Sequence, residues 1–329
     1  MGGFLEGEKP KQAQFKASSL YFSDMARLEG VYKGKPRAFC LPIEFAEQNL
    51  VPEIRKSALS HFAEHSIKWH DGQNGKPSNH LCDSQVCCVN FLFPFADKPR
   101  ALAQVFRSVF PEIEKMLPVE SGRYVSFEWI GQENYLGEKI SRNGQRTRGA
   151  NFTSADSIVM FERKDKKRQV LLIEWKYTES YGGTFLKYSD SGTDRIGIYK
   201  HLFESADCPI DKDILPSFDS LFYEPFYQFM RQQFLAHEME KAHEMGADVV
   251  SVLHIAPAHN GDFRKVTSPE LEKLGESATS IWKKLVKTQG RFVSVSTEQL
   301  FGNLSAEQLP EMKTWVEYIH TRYAWVREQ

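Results

Sequence analysis

The chain has 329 residues, a formal net charge of −1 and 13% aromatic residues. That length suits one large domain or two small ones, and the aromatic share supports a substantial core. A near-neutral total excludes a global basic signature, so any DNA contact has to come from local patches.

Cys40, Cys82, Cys87, Cys88 and Cys208 form an odd, unevenly spaced set, which argues against a disulfide framework and for a reducing, cytoplasmic setting. No apolar run reaches transmembrane length and the N-terminus lacks a signal-peptide core, so no membrane partner is expected. Met1 to Gln14 is polar and is expected to be disordered. Gly30, Gly34 and Pro36 mark turns around Val31-Tyr32-Lys33, and Ala38 to Pro42 reads as a short extended piece. From Ile43 to Trp69 the residues Leu50, Ile54, Leu59, Phe62 and Ile67 recur at helical spacing. Asp71 to Pro77 is a loop. Ser78 to Pro94 reads as an apolar helix interrupted by Gln85 and Asn90. His80, Cys82, Cys87 and Cys88 raise the question of zinc, but there is no second pair at zinc-finger spacing, and a buried helix with inert thiols is the preferred reading. Asn79, Gln85 and Asn90 need partners, either local backbone or an active site. Lys98 to Leu117 reads as one amphipathic helix, and Tyr124 to Ile130 as a strand. Lys139 to Gly149 is a loop carrying Lys139, Arg142, Arg146 and Arg148.

The next stretch is the informative one. Thr153 to Phe161 and Val170 to Tyr177 are β-branched, aromatic and apolar, which favours strands. Between them Glu162 to Arg168 places seven charged residues in a row, a solvated hairpin tip. Alternation across a strand puts Glu174 and Lys176 on one face and Trp175 on the other. A hairpin symmetric about Asp165 and Lys166 sets Asp156 opposite Trp175 or Lys176, and a one-residue shift changes its face. In the favourable register Asp156, Glu174 and Lys176 converge at the end away from the tip.

Two carboxylates that close repel each other, and a divalent cation removes the conflict. Hard oxygen ligands suit Mg²⁺, with Mn²⁺ as a substitute, and such an ion acidifies water and clamps phosphate oxygens. The lysine can orient the water or stabilise the charge that develops on the phosphate. These residues therefore point to a phosphodiester hydrolase.

The pattern resembles the PD-(D/E)xK nuclease superfamily, with Asp156 as the lone acid, Glu174-Trp175-Lys176 as the E-x-K, and Ala155 where the motif's name has proline. The same tripeptide pattern at Asp165-Lys166-Lys167 and Glu311-Met312-Lys313 lacks an apolar strand leading into it. The resemblance runs over most of the chain, and 78–94 is similar to a stretch that restriction-endonuclease-like bacterial proteins share beside the nuclease core. It implies an α/β fold with a central mixed sheet flanked by helices. It also implies metal held by Asp156 and Glu174, and a water positioned by Lys176. A further acid often precedes the lone Asp in the superfamily; Glu138 and Glu128 are the candidates, and Glu138 is preferred. The basic loop before Asp156 suits a phosphate backbone, with Arg146 and Arg148 as its contacts.

Beyond Tyr177 a Tyr-, Ser-, Gly- and Asp-rich region runs to Leu221, where Arg195 and Lys200 are possible substrate contacts. Glu224 to Met245 is a helix, with Pro225 at its first turn and Gly246 at its end. Its residues Gln228, Arg231 and Gln232 are placed to face the cleft, as helices after the E-x-K strand do in the superfamily. Ala247 to Ile255 is an apolar strand, which completes a strand–helix–strand crossover. His254 and His259 flank its end and are given no catalytic role. A helix over Pro269 to Thr288, a strand over Phe292 to Val295 and a helix over Ala306 to Arg327 complete the chain.

The expected organisation is a mainly helical extension over 1–100 packed on a nuclease-like α/β domain over 101–329. The expected function is Mg²⁺-dependent endonucleolytic cleavage of DNA, with a homodimer possible. Two alternatives stay open: a catalytically inactive module with the same core that binds nucleic acid or a partner, and an unrelated metal-dependent hydrolase acting on nucleotides.

Overall fold

The computed structural model describes residues 3–140, 144–150, 152–189 and 192–328. Helices α1 (Phe4–Ser18), α2 (Arg55–Glu64), α3 (Ser84–Leu92) and α4 (Pro99–Arg107) come first, with a small hairpin of β1 (Gly30–Tyr32) and β2 (Lys35–Arg37) between α1 and α2. Strands β3 (Ile113–Leu117), β4 (Ser126–Trp129), β5 (Ala155–Arg163) and β6 (Arg168–Trp175) follow. The rest is α5 (Arg195–Glu204), α6 (Phe226–Lys241), β7 (Val249–Ala256), α7 (Ala278–Leu285), β8 (Phe292–Ser296), α8 (Thr297–Phe301) and α9 (Lys313–Arg322).

Six strands form one mixed sheet in the order β3-β5-β6-β7-β8, with β4 also pairing β5. β5 is antiparallel to β3, β4 and β6, whereas β6, β7 and β8 run parallel. The apolar runs of β6 and β7 follow from this placement, because a central strand covered by helices on both faces has no polar side. Alternation then divides the core in two. Val159, Phe161, Leu171, Ile173 and Trp175 pack with α2, α3, α4 and the C-terminal helices. Ile158, Met160, Val170 and Leu172 pack with α6 and α7 on the other face.

The two ends of the chain build the first of these layers together. α1, expected to be disordered, is a helix docked against α9. Its buried residues include Glu8, Gln12 and Lys16, so hydrophobic periodicity could not reveal it. Tyr177 Oη donates to Glu8 Oε2 at 2.7 Å and accepts from Gln12 Nε2 at 3.1 Å. Arg322, 3% exposed, donates to the carbonyl oxygens of Asn49 and Leu81, to Gln12 Oε1 and to Tyr318 Oη. The helix expected over Lys98 to Leu117 is two elements. α4 stops at Arg107, and Ile113 to Leu117 form an edge strand on β5. Pro111 accounts for the break, since it restricts the residue before it and lacks an N–H for a helix. The helix expected over Pro269 to Thr288 contracts to α7, capped by Ser277.

Replacing Arg322 with alanine leaves several buried acceptors without a donor. The expected cost is about 3 kcal/mol of folding free energy. Urea denaturation of Arg322→Ala against wild type measures it.

Candidate active site

The hairpin of β5 and β6 pairs Ser157 with Ile173 and Ile158 with Leu172. The ladder ends there; continued one step, its register sets Asp156 toward Glu174 on the same side of the sheet, and the Trp175 N–H is donated to the Asp156 side chain. The turn is offset by one residue from the symmetric expectation, and this offset sets carboxylate against carboxylate. Trp175 falls on the opposite face, in the cluster with Phe91 and Phe301.

Neighbouring strands extend the row. β4 pairs with β5 so that Phe127 meets Ser157 and Trp129 meets Ala155, which leaves Glu128 beside Asp156. On the other side Glu174 is in register with His254 of β7, and His254 with Ser294 of β8. Glu128, Asp156, Glu174 and His254 thus lie in one line across four strands. Glu128 has φ of 50°, in the left-handed region that a β-strand residue rarely adopts. The kink flips the pleat: Phe127 packs into one core cluster and Trp129 into the other.

Every member of the row is held. Asp156 Oδ2 accepts from the Trp175 N–H at 2.7 Å, while its Oδ1 has no hydrogen-bond partner among the described residues. Glu174, fully buried, makes an ion pair with Lys176 through Oε1 and accepts from Gln232 Nε2 through Oε2. Gln232 Nε2 also donates to the Ser154 carbonyl oxygen at 3.1 Å, which ties α6 to the start of β5. Glu128 accepts from Gln85 Nε2 of α3 at 2.7 Å and from Ser154 Oγ at 2.8 Å. His254 Nδ1 lies 3.2 Å from Ser294 Oγ.

The electrostatics follow from burial and like charge. Burial, then Glu174, and Glu128 more weakly, hold the Asp156 carboxyl well above its ordinary value against the opposing pull of Lys176. Asp156 nevertheless keeps part of its surface open to solvent, whereas Glu174 does not. Burial raises Glu128 as well, and its bonds to Ser154 and Gln85 offset this only in part. Burial works against the Lys176 ammonium, but Glu174 and then Tyr181, Glu179 and Asp156 outweigh it and hold that group well above the usual lysine range. Burial pushes His254 well below its ordinary value, and Lys176 adds to the effect. It is a neutral imidazole in the row.

These residues fit a hard divalent cation. Two opposed carboxylates, one of them with a free oxygen and an abnormal hold on its proton, supply oxygen ligands and excess negative charge. Among the described residues, the group of three or more such side chains whose ligand atoms lie within 4.8 Å of one another is instead His61, His65 and Glu120, and the three carboxylates of the row, taken together, stand further apart than that. There the Arg148 guanidinium meets both Glu120 oxygens, at 2.8 and 2.9 Å, so a cation is already in place. His80, Cys82, Cys87 and Cys88 form no such group among the described residues. The three thiols are buried, and burial raises each of them.

The other sequence candidates lie around this centre. Glu138 accepts from the Thr153 N–H and hydroxyl at 2.8 and 2.5 Å and from Tyr199 Oη at 2.7 Å, so it braces the approach to β5, while Glu128 is the acid beside Asp156. Arg146 donates to the carbonyl oxygens of Ile130, Gly131 and Gln132. Arg148 donates to those of Phe127 and Glu128 as well as to Glu120. Both guanidinium groups are thus engaged in shaping the end of β4. Arg142 lies outside the described residues. Gln228 Oε1 accepts from Tyr181 Oη at 3.2 Å. Arg231, stacked on Tyr227, is 3.4 Å from Thr153 Oγ1 and lines a cleft with Lys139, Arg195 and Glu224. Gln85 and Glu128 carry visible signals in the sequence, each a polar residue inside an apolar run.

A mixed sheet sandwiched between helices, with an acid and an E-x-K at adjoining strand ends, defines a restriction-endonuclease-like α/β protein. The chain belongs to the family described as restriction endonuclease associating with ARP, whose model matches residues 9–324. Comparison with curated proteins and with solved structures returns no match. Among the described residues no helix is long and apolar enough to cross a membrane.

A carboxyl whose folded pKa is raised favours the folded state when protonated, and that contribution is lost as pH climbs from the unfolded value toward the folded one. Asp156→Asn keeps an acceptor for the Trp175 N–H and removes the charge. In EDTA at neutral pH it is expected to be more stable than wild type by about 1–2 kcal/mol, with the gap closing toward about pH 4. Thermal unfolding of both proteins across that range checks the sign.

Proposed function

We propose that this protein is a Mg²⁺-dependent nuclease of the PD-(D/E)xK type that hydrolyses DNA phosphodiester bonds. The observation that carries the reading is the meeting of Asp156, bonded to the Trp175 N–H, with Glu174 and its ion-paired Lys176 at the end of the β5–β6 ladder. The family's description as a restriction endonuclease supports DNA as the substrate.

Asp156 and Glu174 would hold the ion, with Glu128 adding negative charge beside them. A bound Mg²⁺, or Mn²⁺ in its place, supplies charge neutralisation for the phosphate and acidifies water. The protein's own groups do the rest. Against the effect of burial, Glu174 holds the Lys176 proton above the usual lysine range, which suits this group to donating hydrogen bonds and not to acting as a base. Its role is to orient the attacking water and to stabilise negative charge on the phosphate oxygens. Gln232 and Lys176 together fix the Glu174 carboxylate, so its orientation costs nothing when substrate arrives. Arg231, with Lys139 and Arg195, lines the cleft on the α6 side and would meet the DNA backbone there.

Purified protein is expected to cut DNA with Mg²⁺ or Mn²⁺ and to stop with EDTA. Lys176→Ala should lower the rate by about 10²- to 10³-fold, and Asp156→Ala by at least as much. Both should keep the wild-type circular dichroism spectrum. A second readout avoids activity: Mg²⁺ should raise the melting temperature of wild type and leave that of Asp156→Ala unchanged. Cutting at the wild-type rate by either variant overturns the assignment.

A further inference from the structure

The hairpin of β1 and β2 is the most exposed regular element at the site end of the sheet. Every residue of β2 is exposed, and Val31 is 59% exposed. Its turn places Lys33 and Gly34 at φ 48° and 75°, a tight two-residue connection that needs left-handed backbone at both positions. The base is fixed. Gly30 lies against the Leu41 carbonyl, where a Cβ would come within 1.9 Å, and Asn79 Nδ2 donates to the Val31 carbonyl oxygen. A rigid base thus carries a projecting arm.

The arm is cationic. Lys33, Lys35 and Arg37 stand on it, and Lys9 of α1 approaches the Phe39 ring beside it. Among the described residues Lys35 and Arg37 have no ion-pair partner, and Lys33 reaches Asp71 only at 3.9 Å. Nearby carboxylates are occupied: Asp71 accepts from Tyr32 Oη, Asp83 from the Val86 N–H and Glu179 from the Tyr177 N–H. The arm walls a groove of about 560 Å³ with Tyr32, Phe39 and His80, whose opposite side is Ser84, Thr178 and Glu179. Thr178 lies two residues after Lys176, so the groove opens at the strand end where the candidate active site stands.

We infer that the β1–β2 arm, through Lys33, Lys35 and Arg37, is a DNA-backbone contact that holds the duplex over the strand end beside Lys176. The inference rests on the nuclease reading for its ligand. Lys35 and Arg37, which have no ion-pair partner among the described residues, and Lys33, which holds Asp71 only at 3.9 Å, present the charge that a row of phosphates requires. Lysine and proline on an edge strand can also serve only to prevent strand-to-strand aggregation, and the test separates the two.

The experiment measures equilibrium binding of a fluorescently labelled short DNA duplex, with Ca²⁺ replacing Mg²⁺, over a range of salt. Lys33→Ala/Lys35→Ala/Arg37→Ala is compared with Lys164→Ala/Lys166→Ala/Lys167→Ala, which removes equal charge at the far tip of the β5–β6 hairpin. The first triple should bind about 10- to 100-fold more weakly, with a log–log salt slope shallower by about 2 to 3, while the tip triple stays within about 3-fold of wild type. In cleavage the arm triple should raise KM and leave kcat intact. Wild-type binding by the arm triple, or an equal loss in the tip triple, overturns the inference and leaves the nuclease reading standing if wild type cuts and Asp156→Ala does not. Failure of wild type to bind the duplex overturns both.

Discussion

Like charges forced together organise this molecule's candidate site. Asp156 and Glu174 come together where the antiparallel β5–β6 ladder ends, and Glu128 of β4 adds a third carboxylate beside them. In water such a row would relax apart. Here the β5–β6 ladder ends just short of the row, the Trp175 N–H holds the Asp156 carboxyl, and the helices packed on both faces keep most solvent away. The stress is relieved in two ways, by the raised proton affinity that burial and Glu174 give Asp156 and by the Lys176 ammonium against Glu174. In the reading proposed above, a divalent cation held by Asp156 and Glu174 would do the same with greater effect.

The surrounding structure is arranged to keep that row in place. α6 reaches it through Gln232, α3 through Gln85, and the approach to β5 is braced by Glu138 through Thr153. Immediately beyond Lys176, Tyr177 is locked by Glu8 and Gln12 of α1, and Arg322 of α9 completes that buried polar cluster. The first and last helices of the chain therefore converge on the residue next to the lysine. Residues near both ends of the chain share one hydrophobic cluster with the sheet.

Much of this architecture is legible in the amino-acid sequence. The charged tip between two apolar strands marks the hairpin, and strand alternation puts Glu174 and Lys176 on the face opposite Trp175. The central strands β6 and β7 are legible for the same reason, being continuous apolar runs. What the sequence hides depends on pairing between strands or on polar burial. The offset in the hairpin turn decides what Asp156 faces, and nothing local in Glu162 to Arg168 encodes it. Glu128 sits beside Asp156 only because β4 docks on β5 in one particular register, so its proximity is invisible along the chain, whereas Glu138 is nearer in sequence and lies elsewhere. α1 is hidden because Glu8, Gln12 and Lys16 share its inward side with Phe15. Arg146 and Arg148 read as phosphate contacts in a loop, yet the backbone carbonyls at the end of β4 take up their donors.

The most direct test is anomalous diffraction from crystals soaked in Mn²⁺. A peak within bonding distance of both the Asp156 and Glu174 carboxylates is the expected result. A fully occupied ion at His61, His65 and Glu120 with none at Asp156, or no ion at saturating Mn²⁺, would contradict the central assignment.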